Sequence, residues 1–311
     1  MRHPTARLPT VPKANIPHPV PKPMASGLEY AIHRVIREYA AQGETRLGIV
    51  KTYKTTFDVY RQLKNATPRL DLYLPWSWYI HGPVVQYRFI SPDALQVGEP
   101  ERRNDGEAPY RPVTTGNLDY DNVSPSTRER IDEAVGLSVK EFADMTASDT
   151  TNRVYEKWAP HPFERSFRKL ARGFDADEID YDEKDLRTLD RVQQEFPYGE
   201  FPDLVPAFVD WSAFMRMAIE RYPKFLWDRP GVVKGFQNTY GHRMSLDYNE
   251  NVAPLIPSWK ANYTAALELL QNDLTERRWE LGSIVSGPRG DAFKGYRGAV
   301  LEDIQERAGL A

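Results

Sequence analysis

Apolar side chains recur at helical spacing through most of this chain, and glycine or proline residues separate the repeats. The spacing predicts a first helix over about residues 27–42, which Gly43 ends. A second helix is predicted over about 45–65, with Pro68 beyond its end. Its inward stripe is predicted to comprise Leu47, Val50, Phe57, Tyr60 and Leu63.

An aromatic segment follows the second helix, interrupted by prolines and a glycine. We predict a helical turn around 76–80 and then a short extended, wing-like stretch around 84–90. Two tryptophans so close together are typical of a core, so we expect Trp76 and Tyr79 to be buried. Trp78 fits either a core position or an exposed platform for a partner.

Turn-forming and charged residues dominate a polar excursion over 91–125, which is long for a loop inside a compact domain. Ser-x-x-Glu sequences that begin at Ser126 and Ser138 are typical of capping boxes and predict two short helices. A further helix is predicted after Pro162, with Gly173 just past its end. We expect these helices to form the C-terminal part of the first domain.

The predicted fold is mainly α: a compact helical domain over 26–172 that includes the wing-like segment, followed by a helical region of unknown type over 173–311. In the second region, helical periodicity recurs over about 182–195, 206–222, 258–284 and 291–308. Residues 223–257 show no assignable pattern. Residues 1–25 contain seven prolines and no acidic residue, so we expect a disordered basic tail.

The amino-acid composition excludes several kinds of functional site and disfavours some partners. The 311 residues contain no cysteine, which excludes disulfides, zinc–thiolate centres and cysteine nucleophiles. A net charge of −3 gives no global field for nucleic acid or an anionic membrane. No apolar run approaches the roughly 18 residues of a transmembrane helix, and the N-terminus lacks the apolar core of a signal peptide. We therefore expect a cytoplasmic protein without membrane association.

Sequence motifs for chemistry are missing. The histidines include no pair with the spacing of a metal-binding helix, and no Gly-x-Ser-x-Gly elbow is present. The acidic run at 175–185 lacks the glycine of a calcium loop, and the glycines at 287–298 lack a Gly-Lys-Ser/Thr sequence. We therefore predict no catalytic residues, no metal site and no cofactor.

Three features of residues 27–172 occur in a recognisable order. The second predicted helix carries Leu47-x-x-Val50-Lys51, and the aromatic segment reads Trp78-Tyr79-Ile80-His81-Gly82-Pro83-Val84. Later come Leu137-Ser138-Val139-Lys140-Glu141-Phe142 and a tract with tryptophan and histidine at 158–163. Together these features resemble the Panacea family, also called SocA-like.

The resemblance implies a helical domain that works by binding another protein, in the family as an antitoxin or a proteolytic adaptor. The partner is expected to be a protein, encoded in many cases by an adjacent gene. We expect binding through the exposed side of residues 78–85 and the second helix, with charged residues at the rim. The predicted partner-binding residues are Lys51, Lys54, Trp78, His81, Gly82, Pro83 and Arg88.

Two other functions stay open at this point. A winged-helix DNA-binding regulator would use the basic tail and four side chains of the second helix, namely Lys51, Lys54, Arg61 and Lys64. An enzyme with its site in the C-terminal half would use His242, Arg243 and Asp247.

Overall fold

The structure, a computed structural model, describes residues 26–44, 46–101, 110–116, 120–175, 183–228, 231–284 and 291–307. Within these ranges helices carry most of the chain, and the strands form two two-stranded antiparallel sheets. The prediction of a mainly α fold is confirmed. The helices are α1 (Ser26–Ala41), α2 (Ile49–Asn65), α3 (Pro125–Phe142), α4 (Ala147–Trp158), α5 (Pro162–Asp175), α6 (Glu183–Glu195), α7 (Val205–Arg221), α8 (Pro223–Asp228), α9 (Gly231–Asp247), α10 (Ile256–Ile284) and α11 (Asp291–Arg307). The strands are β1 (Trp76–Tyr79), β2 (Gly82–Val85), β3 (Gln96–Val97) and β4 (Val113–Thr114).

Several predicted segments fall partly or wholly outside the described residues. The tail at 1–25, residues 176–182 of the acidic run and the glycines at 287 and 290 are among them. The polar excursion at 91–125 is described in part and contains β3 and β4, which pair with each other. No helix in the described part of the chain combines the length and the apolar character that a membrane crossing requires.

Helix α2 occupies the centre of the N-terminal part, where it contacts α1, α3, α4 and β2. Contacts with four elements bury its polar residues as well as apolar ones. The buried polar residues are Lys51, Thr52, Lys54, Thr55, Thr56 and Asp58. Phe57, Tyr60 and Leu63 are buried as predicted, whereas Val50 is 45% exposed. Because a buried polar group is costly without a hydrogen bond, these side chains need partners inside the protein.

The aromatic segment forms an antiparallel hairpin, so the predicted helical turn is wrong. Strands β1 and β2 pair in register, with Trp76 opposite Val85. Aromatic and β-branched side chains favour a pleated, half-buried strand, and this preference outweighs the helical interpretation. Trp76 and Trp78 lie two residues apart and share one face of β1. Both rings pack against Phe57 of α2, with centroids 4.9 and 6.3 Å away.

Burial along β1 differs from the prediction. Trp76 is buried as expected, but Tyr79 is only half-buried. Trp78 is 1% exposed, which makes it a core residue and not a platform. The extended stretch predicted up to residue 90 ends at Val85, and a 3-10 turn follows over Tyr87–Phe89.

One continuous helix, α3, replaces the two short helices predicted from capping boxes. Ser124 caps it, because its Oγ accepts a hydrogen bond from the Thr127 amide at 3.2 Å. Ser138 lies inside α3 and donates to Asp58 of α2 at 2.8 Å. Since a buried acceptor satisfies this hydroxyl, serine is tolerated within the helix. The capping box in this region is instead that of Thr146, at the start of α4.

The region beyond residue 172 contains the four helices that periodicity predicted, α6, α7, α10 and α11. The unassigned stretch 223–257 folds as α8, α9 and a 3-10 turn over Ala253–Leu255. Helix α5 continues through Gly173 to Asp175, so this glycine does not end it.

Packing joins the parts of the chain on either side of residue 172. Trp76 and Glu250 exchange backbone hydrogen bonds of 3.3 and 2.9 Å. Ser245 of α9 donates to the carbonyl oxygen of Trp78 at 2.7 Å. Buried apolar side chains from both parts form one cluster. The β1–β2 hairpin is therefore shared between the N-terminal helices and α9.

Candidate functional site

The β1–β2 hairpin is anchored from α2 by a buried lysine. Lys54 is 3% exposed, and its Nζ donates to the carbonyl oxygens of His81 at 2.5 Å and Pro83 at 2.8 Å. Burial, and to a smaller extent the nearby positive charge of Arg168, lower the pKa of Lys54 to about 7. The lysine thus binds the backbone on both sides of Gly82.

Helix α4 provides a second anchor through Tyr155. Its hydroxyl donates to the carbonyl oxygens of Ile80 at 2.5 Å and Tyr79 at 3.2 Å. Gly82 has a φ of +79°, a conformation that side chains other than glycine rarely adopt. A Cβ at this position would lie 3.0 Å from Cε2 of Tyr155. The close approach of Tyr155 therefore requires glycine at the turn.

Helix α9 supports the hairpin from the other side. Gly241 lies directly against the turn, and a Cβ there would overlap the side chain of Ile80. One residue further, the His242 ring lies against Tyr79, with the hydroxyl and Nε2 3.5 Å apart. Three helices that are distant in sequence therefore fix one short hairpin.

The outer side of the hairpin and the 3-10 turn after it remain accessible. We call the residues His81, Val84, Tyr87 and Arg88 the hairpin surface. His81 and Arg88 are exposed, Tyr87 is 47% exposed and Val84 is half-buried. The Arg88 guanidinium lies 5.5 Å from the Phe89 ring centroid, a cation–π contact that orients it.

The structure places most of the predicted binding residues in the interior. Trp78, Gly82 and Pro83 belong to the hairpin strands, and all three are buried. The expectation that Lys51 and Lys54 form a charged rim is wrong, because α2 is the central helix. Lys51 donates instead to Glu44 at 2.7 Å and to the carbonyl oxygen of Ala143 at 2.9 Å. Of the predicted set, His81 and Arg88 are exposed.

Asp58 is a buried carboxylate that the sequence interpretation did not identify. It is fully buried and accepts hydrogen bonds from Gln62, Ser138 and Trp158 at 2.6–2.8 Å. Lys157 of α4 forms an ion pair with it at 2.7 Å. This network joins α2, α3 and α4. The sequence clue was an aspartate between the apolar residues 57 and 59.

An open cleft of about 400 Å³ lies between α4 and α5, next to the Tyr155 anchor. It is lined by Asn152, Tyr155, Glu156, Arg165, Arg168 and Lys169. Arg168 donates from Nε to Asn152 at 3.0 Å, and its guanidinium lies 4.7 Å from the Tyr155 ring centroid. Two separate helices supply these residues, so no local spacing in the sequence could have predicted the cleft.

The proposed enzyme residues of the C-terminal half do not share a groove. Arg243 forms ion pairs with Asp203 and Asp247. His242 lines a different groove of about 210 Å³, together with Tyr79 and other residues of the hairpin and α10. Among the described residues, no cluster of histidine, aspartate and glutamate side chains could hold a metal ion.

Comparisons of this chain with protein-family models, curated proteins and solved structures found no match.

Proposed function

We propose that this chain is a protein-binding module of the antitoxin or adaptor type, the role that the resemblance to the Panacea family implies. The supporting observation is the anchored hairpin: α2, α4 and α9 fix its backbone while its outer residues stay exposed. A segment that is ordered before binding loses less conformational entropy when a partner docks. Tyrosine and arginine, present here as Tyr87 and Arg88, often carry the binding energy of protein interfaces.

A DNA-binding role has weaker support, because α2 does not present its basic residues as a recognition helix would. Lys51 and Lys54 are buried. Lys64 forms an ion pair with Glu250 at 2.8 Å, and Arg61 lies over the ring of Trp158. The net charge of −3 adds no general attraction for a polyanion.

An enzymatic role built on His242, Arg243 and Asp247 also has weaker support, since two of the three form a surface ion-pair group with Asp203. We propose a cytoplasmic location for the binding module, where it would meet the product of an adjacent gene.

Co-expression with the adjacent gene product tests the proposal. The chain should co-purify with that protein and should relieve any growth arrest that the partner causes alone. Tyr87→Ala with Arg88→Ala removes two exposed side chains of the hairpin surface. Leu137→Ala with Lys140→Ala is a matched control, because it removes one exposed apolar and one exposed basic side chain from α3.

The complex should form with the wild-type chain and with the α3 control, and weaken by at least about tenfold in the hairpin variant. Equal retention of the partner by the wild-type chain and the hairpin variant would reject the hairpin as the binding surface. If no complex forms and the neighbour is harmless alone, the antitoxin role is rejected.

A further inference from the structure

The groove that His242 lines has aromatic walls and is formed by the β1–β2 hairpin, α9 and α10. We call it the aromatic groove, and its lining residues are Ser77, Tyr79, Val84, Gln86, His242, Ser245, Trp259 and Asn262. The rings of Tyr79 and His242 lie together, with centroids 5.3 Å apart. Trp259 contributes a half-buried indole from α10. Three ring-bearing side chains in one concave site offer faces and edges to another ring.

The lining of the aromatic groove is uncharged. No aspartate, glutamate, lysine or arginine is among the described residues that form it. Burial raises the pKa of Tyr79 and lowers the pKa of His242, and both shifts favour the neutral form. An ion that entered the groove would lose water without gaining a charged partner, so an uncharged ligand fits better. The Gln86 amide donates to Ser77 at 3.4 Å, which leaves these two groups less available to the hydroxyls of a sugar.

The size and position of the groove limit its ligand further. Its volume of about 210 Å³ is below the roughly 300–1,000 Å³ of pockets that hold drug-sized molecules. A single amino-acid side chain is a better match, and aromatic side chains in small pockets often anchor protein interfaces. Val84 belongs to the groove and to the hairpin surface, and Gln86 directly precedes Tyr87. A partner docked on the hairpin surface would therefore lie beside the groove.

We propose that the aromatic groove binds one uncharged aromatic side chain of the partner protein, an inference that rests on the proposed protein-binding function. The ring of that side chain packs against Trp259 and the pair formed by Tyr79 and His242, in edge-to-face or offset geometry. Asn262 is exposed on α10, and its amide is able to hydrogen-bond a tyrosine hydroxyl at the edge of the groove.

Fluorine NMR of the full chain labelled with 5-fluorotryptophan tests the groove. The probe is N-acetyltyrosinamide, an uncharged aromatic amino-acid derivative, and N-acetylleucinamide is the non-aromatic comparison. The signal that Trp259→Phe removes is assigned to Trp259. We expect this signal to shift on titration, with the tyrosine derivative binding at least about threefold more tightly than the leucine derivative. The signal of Trp279, which is 57% exposed on the same helix, should not follow it.

Two glutamate variants separate the groove from the rest of α10. Asn262→Glu places a carboxylate in the lining, and Asn272→Glu makes the same change at an exposed position outside it. Both replaced side chains are exposed, so we expect both variants to fold. The Asn262→Glu variant should bind the tyrosine derivative at least about fivefold more weakly, because a carboxylate opposes both desolvation and the electron-rich face of the ring. The control should bind it like the wild-type chain.

Four results would overturn the proposal: equal shifts of the Trp259 and Trp279 signals, equal affinity for the two derivatives, equal losses in the two glutamate variants, or tighter groove-dependent binding of methyl glucoside. The titration needs no partner protein, so its failure differs from a failure of the co-purification test. A chain that retains its partner but does not bind the tyrosine derivative keeps the protein-binding function and rejects the groove site. A chain that binds the derivative but no partner rejects the protein-binding function, and with it a partner side chain as the ligand.

Discussion

The Nζ atom of Lys54 and the carbonyl oxygen of Pro83 lie 2.8 Å apart, and this contact joins the central helix to the hairpin. A second bond to the carbonyl oxygen of His81 makes the lysine bridge the turn. Burying an ammonium group costs free energy, and its hydrogen bonds to the two neutral carbonyl oxygens offset part of that cost. We infer that Lys54 determines where the exposed turn lies.

Replacing this lysine should destabilise the fold. Lys54→Met keeps the length of the side chain but leaves two buried carbonyl oxygens without their donor, at a cost of about 1–3 kcal/mol. The midpoint of urea unfolding measures the effect at about pH 10, where holding the buried amine uncharged costs little free energy. Lys140→Met, at an exposed position of α3, is the control and should change stability by less than about 0.5 kcal/mol. A Lys54→Met variant as stable as the wild-type chain would contradict the anchoring role.

The stability of the protein should also depend on pH through Lys54. Its pKa is about 7 when folded and has its ordinary value of about 10.4 when unfolded. Between these values the unfolded chain binds more protons, so the free energy of unfolding rises as pH increases from about 7 to 10. The slope has an upper limit of about 1.4 kcal/mol per pH unit.

The Lys54→Met variant isolates this contribution, because other titrating groups are common to both proteins. Denaturant unfolding at pH 6 and pH 9 should show the stability of the wild-type chain, relative to the variant, increasing with pH. If the difference in unfolding free energy between the two proteins stays constant over this range, the pKa of Lys54 is not lowered in the fold.

The turn should require glycine at position 82. Gly82→Ala forces a side chain into the left-handed region and against Tyr155, which should cost at least about 1–2 kcal/mol. Gly136→Ala is the contrasting control, since a Cβ at this position of α3 meets no atom within 4 Å. It should stabilise the protein by about 0.5–1 kcal/mol. Thermal unfolding of both variants checks the opposite signs, and a neutral Gly82→Ala would contradict the described turn.

The buried carboxylate of Asp58 should matter more than any one of its donors. Asp58→Ala leaves Trp158, Gln62 and Lys157 without their shared acceptor and should cost about 3–5 kcal/mol. Ser138→Ala removes one neutral donor and should cost about 1 kcal/mol. Calorimetric unfolding compares the two variants, and equal losses would mean that the network does not centre on Asp58.

Sequence periodicity predicted most helices because one apolar face per helix is a local property. It succeeded for α1, α2, α7 and α10, whose apolar residues recur every three or four positions. It failed at β1, where the side chains that fix the strand come from helices far away in the chain. The prediction of a capping box at Ser138 failed for a related reason, because the acceptor of its hydroxyl, Asp58, lies on another helix.

The candidate site was less predictable than the fold. The sequence pattern singled out the segment 78–85, but its exposed and buried residues could not be separated by pattern alone. Lys54 is indistinguishable in sequence from a surface lysine, and only the packing around α2 shows that it is buried. Tyr155 and Arg168 became part of the site through tertiary contacts that no spacing encodes.

Site-specific photo-crosslinking in the complex with the adjacent gene product tests the role of the hairpin most directly. A photoreactive amino acid would replace His81 in one protein and Leu137 of α3 in the other, both at exposed positions. We expect the partner to be crosslinked from position 81 and not from position 137. Crosslinking from position 137 with none from position 81 would contradict the hairpin as the docking surface.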